Sequence, residues 1–235
     1  MGEKQGRCIG LVGGLGPGAT VHYYQALLRA HASRGIRPDI VIVHADVGQV
    51  LGRVGQGDLD GLAAYLSDFI ARLEKAGAEF AAIPAITPHI CMPLLRPLSR
   101  LPLISIVDVV RSDLVRRGLR RVALFGTRFT VESDMFGQLA DFDIVRPRAD
   151  AAEAIYRVYA ELVAAGVGNE AQAETVRDIA TRLIARDSVE AIVVAGTELA
   201  LIVDEGRAGY PIVDCARLHV EALADYAIDA PGIPP

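Results

Sequence analysis

Cys8-Ile-Gly-Leu-Val12, running straight into Gly13-Gly-Leu-Gly-Pro-Gly-Ala-Thr20, is the stretch on which the reading of the fold turns. A short apolar run that ends in glycines reads as a parallel strand buried on both faces. The residues from Gly16 to Arg34 then read as a helix, with Pro17 at an early position where its missing N–H costs nothing. Working outward, Asp39–Ala45 is a second strand, rich in Val and Ile. Asp58 or Asp60 caps a helix whose apolar face is Leu62, Tyr65, Leu66, Phe69, Ile70 and Leu73, and Gly77 stops it. A strand at Phe80–Pro84, the loop Thr87-Pro-His89, a strand at Leu103–Val107 and a helix through Arg117 closed by Gly118 continue the alternation.

Arg121–Phe125 begins the series again. A helix over Val131–Leu139, a strand at Asp143–Arg146, helices over Asp150–Ala165 and Glu170–Ala185, strands at Val189–Ala195 and Ile212–Asp214, and a last helix over Arg217–Ile228 follow. The tail Pro231–Pro235 is expected to fray. Strands alternating with helices imply α/β architecture with parallel sheets. The two series resemble one another. Arg7-Cys-Ile-Gly-Leu-Val-Gly13 is echoed by Arg120-Arg-Val-Ala-Leu-Phe-Gly126, Ala81-Ala-Ile-Pro-Ala-Ile-Thr87 by Ala191-Ile-Val-Val-Ala-Gly-Thr197, and Pro102-Leu-Ile by Pro211-Ile-Val, at near-constant spacing. That pattern fits two similar half-domains, which would place a ligand between them at the carboxyl ends of the strands. The loops at Gly13–Thr20, Thr87–His89, Thr127–Ser133 and Thr197–Leu199 would then face one cleft.

At 235 residues the chain is one large domain or two small ones, and it is long enough to need no disulfide or metal staple. Its net charge of −5 gives no electrostatic case for nucleic acid. The cations are almost all arginine. The two lysines, Lys4 and Lys75, lie in a polar tail and at the solvent end of a helix, which argues against a pyridoxal-phosphate Schiff base. Cys8, Cys91 and Cys215 are odd in number and lack metal-ligand spacing, so no disulfide framework and no metal site are implied. The first residues carry no apolar signal core, and no apolar run approaches the length of a membrane span. A soluble cytoplasmic protein is the expectation.

The glycine loop admits three readings. Gly14, Gly16 and Ala19 satisfy G-x-G-x-x-A between a strand and a helix, which is the dinucleotide fingerprint, with Asp46 at the end of strand two but late in sequence for the ribose acid. Glycines before a helix N-terminus also bind a small carboxylate, and they also serve tight turns alone. Thr127 and Thr130 in Gly126-Thr-Arg-Phe-Thr130, and Thr197 beside Glu198, sit where strands give way to helices. Their hydroxyls can hold a carboxylate or an amine, or cap a helix.

These loops resemble a known family. Ile9-Gly-Leu-Val-Gly-Gly-Leu-Gly-Pro17 is similar to the N-terminal signature of the aspartate/glutamate racemases. Ile83-Pro-Ala-Ile-Thr-Pro-His89 is similar to their loop I-P-C-N-T-A-H, and Val193-Val-Ala-Gly-Thr-Glu-Leu199 to I-L-G-C-T-E-L. Leu124-Phe-Gly-Thr-Arg-Phe-Thr-Val-Glu-Ser133 resembles L-A-T-x-G-T-x-x-S, and Asp214-Cys-Ala-Arg-Leu-His219 resembles D-T-T-x-x-H. The resemblance implies two α/β domains related by a pseudo-twofold axis, with mainly parallel four-stranded sheets. One would comprise residues 1–107 plus a returning helix in 216–235, and the other 108–215. It also implies a small amino acid or carboxylate as substrate, no cofactor, and commonly a homodimer.

The resemblance further implies a Cα proton removed and returned by two cysteines, one on each face of the substrate. At those positions this chain has Ala85 and Gly196, and Ile86 stands beside the first. Neither side chain titrates, so two-thiol racemisation is not expected. His89, Glu198 and Cys215 are the candidate stand-ins, through histidine, carboxylate or single-thiol chemistry. Gly14, Gly16, Arg53, Thr87, Thr127, Thr130 and Thr197 are the candidate substrate-binding residues, Arg53 by pairing with a distal carboxylate. The expected activity is one-face proton chemistry on a small carboxylate. The alternative is a non-catalytic carboxylate-binding or regulatory protein on the same scaffold.

Overall fold

The computed structural model describes residues 4–133, 135–203, 206 and 208–228, so the Pro231–Pro235 tail lies outside the described residues. The chain divides into two compact units, one of Met1–Ile106 with Arg217–Pro235 and the other of Val107–Ala216.

The first unit contains β1 (Lys4–Gln5), β2 (Ile9–Gly13), α1 (Pro17–Ser33), β3 (Ile36–Arg37), β4 (Ile40–His44), α2 (Val47–Gln56), α3 (Leu59–Lys75), β5 (Phe80–Ala82), α4 (Met92–Leu95) and β6 (Leu103–Ile104). Its main sheet has the order β4-β2-β5-β6, and every pairing is parallel. The β1–β3 pair stands apart as a two-residue ladder. All of β2 is buried, as a central parallel strand covered on both faces should be. At the edge, β4 is partly exposed, and Ile42 keeps 41% of its surface accessible. The stripe Leu62, Leu66, Phe69, Ile70 and Leu73 of α3 is buried in the same cluster as Val12, Ala81 and Ile83, and Asp58 caps that helix through the Gly61 N–H.

The stretch after β4, read from sequence as a loop, is the helix α2. Gly48, Gly52 and Gly55 weaken the helical signal, and Val50 is the buried residue recorded on it. What starts the helix is Asp46, whose Oδ1 accepts from the Gly48 N–H at 2.7 Å and the Gln49 N–H at 3.4 Å. Gly57, at φ 70°, ends it. With so little buried area behind it, α2 leans on its cap. Asp46→Ala is expected to cost about 1 kcal/mol, read as a lower urea midpoint at unchanged slope.

The chain leaves the first unit at the start of α5 (Ile106–Arg116). The second unit continues with β7 (Arg121–Gly126), α6 (Arg128–Glu132), β8 (Asp143–Val145), α7 (Ala149–Ala165), α8 (Glu170–Asp187), β9 (Ala191–Ala195) and β10 (Ile212–Asp214). The first turn of α9 (Cys215–Ile228) carries the chain back to the first unit. Its sheet, β8-β7-β9-β10, is parallel throughout and repeats the strand order of the first sheet, as the internal echo in the sequence implies. Buried faces of α7 and α8, including Ile155, Val158, Leu162, Val176 and Ile179, pack in one cluster with Phe125, Ile192 and Val194.

The helix expected over Val131–Leu139 begins earlier and stops sooner. Thr127 caps it from the front, while positive φ at Met135, Phe136 and Gly137 turns the chain out of helical geometry. Among the described residues no helix is long and apolar enough to cross a membrane.

Candidate functional site

Arg53 apart, the candidate residues of both units lie near the ends of parallel strands, which is where α/β sheets present their loops. In the first unit β2 gives way to the glycine loop. Gly14 has φ +86°, and a Cβ there would fall 2.3 Å from the Ala45 carbonyl oxygen, so glycine is required by both backbone and space. The loop is closed on itself. The Gly14 N–H donates to Thr20 Oγ1 at 3.0 Å, and that hydroxyl donates to the Gly16 carbonyl at 3.0 Å. Asp46, the residue in the place of the ribose acid, is engaged in capping α2. Arg53 lies on α2 rather than in a loop. Its Nη1 donates to the Gln49 carbonyl at 2.9 Å and to Gln49 Oε1 at 2.8 Å, and the guanidinium sits 4.9 Å over the Tyr65 ring.

After β5 the chain turns through Ala85, where the Ala85 N–H reaches the Ile83 carbonyl at 2.8 Å, and enters a tight helical turn over Thr87–Cys91. Thr87 is half-buried at its start. His89 is fully buried. Its Nδ1 lies 2.9 Å from the Ala85 carbonyl, and its Nε2 lies 3.3 Å from the Ile106 N–H. A backbone N–H only donates and a carbonyl only accepts, so Nδ1 carries the proton and Nε2 the lone pair. His219, on α9, has the opposite tautomer. Its Nε2 donates to the Ile104 carbonyl at 3.0 Å, and its Nδ1 accepts from the Tyr23 hydroxyl at 3.1 Å. Burial, with the charge of His219 second, pushes His89 down to about 3, and burial pushes His219 down to about 4. Two neutral imidazoles therefore bracket Ile104–Ile106, tying the β5 loop and α9 to the end of β6. Cys91 is also buried, its thiol donating to the Pro88 carbonyl at 3.2 Å and pushed by burial up to about 12.

In the second unit Thr127 and Thr130 are partners. The Thr127 hydroxyl accepts the Thr130 N–H at 3.1 Å and lies 2.8 Å from the Thr130 hydroxyl, capping α6. Cys215 is wholly buried at the first turn of α9. Burial, then the adjacent Asp214, pushes its thiol well above the ordinary range, so it is not a thiolate.

Gly196, Thr197 and Glu198 follow β9, beside the Gly126 end of β7. Glu198 is 3% exposed. Its Oε2 accepts the Tyr159 hydroxyl at 2.6 Å and the Thr197 hydroxyl at 3.0 Å, while none of the described residues donates to Oε1. Burial, and then the Glu198 charge, hold the Tyr159 phenol well above its ordinary range, so Tyr159 is the proton donor in this pair. Both of these donors, Tyr159 and Thr197, fall on Oε2, so that oxygen is the one held. Among the described residues no group of three or more His, Cys, Asp or Glu is placed to hold a metal.

Tyr159 has no sequence signal. It comes from α7, 39 residues before its partner, and its helix is otherwise read by its apolar face. The one local hint is two glycines at neighbouring strand ends: Gly126, whose register partner is Ala195, and Gly196, which follows Ala195.

A sequence model of the Asp/Glu/Hydantoin racemase family matches residues 12–223. Among solved structures, an aspartate racemase homologue from Pyrococcus horikoshii is 25% identical, with 96% of this chain and 99% of that one covered and a TM-score of 0.80. The aspartate racemase of Picrophilus torridus is 22% identical, with 94% of each chain covered and a TM-score of 0.77. The glutamate racemase of Thermus thermophilus shares the fold at 19% identity, with 96% of this chain and 84% of that one covered and a TM-score of 0.58.

Proposed function

Because this chain belongs to the Asp/Glu/hydantoin racemase family, we propose that it is a cofactor-independent enzyme that acts on a small amino acid or related carboxylate, with Glu198 rather than a pair of thiols moving the proton. The observation that carries this reading is the buried Glu198 carboxylate, anchored at Oε2 by Tyr159 and Thr197, with no described residue donating to Oε1. The other candidates are occupied. His89 has both ring nitrogens engaged with backbone and stays neutral, and Cys215 is a buried, protonated thiol.

In the proposed step Glu198 Oε1 takes the Cα proton. The electron pair of the C–H bond stays on the substrate, spread into its carboxylate as an enediolate. Once the proton on Oε1 has exchanged with solvent, its return from the same oxygen to the same face restores the substrate with a solvent-derived hydrogen and an uninverted carbon.

The test is incubation with acidic amino acids and 2-hydroxy acids in deuterated water, followed by mass spectrometry and chiral analysis. The expected result is deuterium at Cα with configuration retained. Thermal stabilisation by a panel member without any exchange would instead make this a carboxylate-binding protein and overturn the catalytic reading.

A further inference from the structure

Gly196 precedes the buried Thr197–Glu198 pair, and the space beside it is not empty. A Cβ on Gly196 would lie 2.6 Å from Tyr159 Cε2 and 2.9 Å from Cδ2, and 3.2 Å from the Gly126 Cα. On one side the neighbour is backbone, and on the other the Tyr159 ring would have to shift. Gly126 is itself barred from carrying a Cβ, which would fall 2.5 Å from the Ala195 carbonyl oxygen. The Tyr159 ring lies on α7 between the buried residues Val158 and Leu162, which fix its backbone. Glycine at 196 is therefore what admits the phenol, and the phenol is what reaches Glu198 Oε2 at 2.6 Å.

We propose that Tyr159 is a positioning residue for Glu198: the notch left by Gly196 seats its ring, and its hydroxyl, with that of Thr197, pins Oε2 so that Oε1 alone is offered for proton transfer. This rests on the reading of Glu198 as the proton acceptor. The phenol keeps its own proton throughout. It holds the carboxylate in one orientation when Glu198 is ionised, and the same hydroxyl stays on Oε2 when Oε1 has taken a proton. A carboxylate free to rotate would divide its occupancy between two orientations, one of which turns the wrong oxygen to the substrate.

The experiment compares wild type with Tyr159→Phe, Gly196→Ala and Glu198→Gln in two measurements, alkaline titration of phenolate absorbance and α-proton exchange over a pH series. In wild type one phenol, missing from Tyr159→Phe, should ionise well above the rest. It should titrate lower in Glu198→Gln, where the neighbouring charge is gone, and lower in Gly196→Ala, where the new methyl displaces the ring. Tyr159→Phe should lower kcat for exchange about tenfold with KM little changed, as expected for losing a hydrogen bond to a charged group. Tyr159→Phe loses the hydroxyl and keeps the ring, so it serves where Gly196→Ala does not fold. The proposal is overturned if the Tyr159 titration ignores both neighbouring substitutions, or if exchange is lost in Glu198→Gln but undiminished in Tyr159→Phe. Exchange absent from wild type, with the phenol titrations as expected, overturns the prior reading of Glu198 as a base instead.

Discussion

Replacing Glu198 with glutamine is expected to slow α-proton exchange by about a hundred- to ten-thousandfold, the range a positioned general base contributes. The substitution suits the question because it leaves the fold intact. The amide has nearly the shape of the carboxylate, and its carbonyl oxygen can accept from Tyr159 and Thr197 as Oε2 does now. What disappears is a basic oxygen on a residue that is 3% exposed. The loss should fall on kcat, because the carboxylate is asked to act on the Cα proton rather than to hold the ground state. Thermal unfolding should move little, because a buried charge is exchanged for a buried amide with the same two donors. Exchange at the wild-type rate in the glutamine variant would show that the base lies elsewhere in the chain.

How much of this is legible in the sequence depends on how local each signal is. The strand Ile9–Gly13, the capped helix from Leu59 and the strand Ile212–Asp214 were each readable from periodicity and punctuation in a single segment. The likeness of the two sheets followed from echoes between the two halves of the chain, whereas their strand order did not. The misreadings share a cause. Leu103–Val107 looks like one continuous strand, yet pairing stops at Ile104, and the next residues are held by His219 on the Ile104 carbonyl and His89 on the Ile106 N–H. Nothing within that segment announces two histidines from 17 and 115 residues away. The helix α2 does not read as one because Gly48, Gly52 and Gly55 interrupt the stripe of Val47, Val50, Leu51 and Val54. At the candidate site, Glu198 and Thr197 were found from their loop, and His89 from its place four residues after Ala85. Tyr159 has no such signal, because what identifies it is the approach of its ring to Gly196, a contact across 37 residues of chain that only the fold creates.

The same two histidines make the fold acid-sensitive. In the unfolded chain each imidazole titrates near 6.5, whereas in the folded protein His89 is pushed down to about 3 and His219 to about 4. A folded-state value below the unfolded one means that between them the unfolded chain binds more protons, so stability falls as pH is lowered through that window. From pH 6.5 to 4.5 both rings remain neutral in the fold while both are protonated in the unfolded chain, which is worth about 5 kcal/mol for the pair. That is comparable to the whole stability of a marginal domain, so unfolding near pH 4.5 is the expected outcome. Protonating either ring in place offers no escape. Nε2 of His89 would lose its bond from the Ile106 N–H, Nδ1 of His219 its bond from Tyr23, and the two charges would repel each other. Arg96 adds to that repulsion at His89. The exposed carboxylates that are held low, Asp141 by Arg111 and Glu190 by backbone N–H groups, act in the same direction but contribute little because solvent screens them. Urea midpoints measured from pH 7 to 4.5 should therefore fall steeply below pH 6.5, with a slope near two protons. In His219→Gln, whose amide can still donate to the Ile104 carbonyl and accept from Tyr23, the slope should drop by about one proton. A midpoint that stays level across that interval would mean that the rings are charged in the folded protein, and the tautomers assigned from their backbone partners would then be wrong.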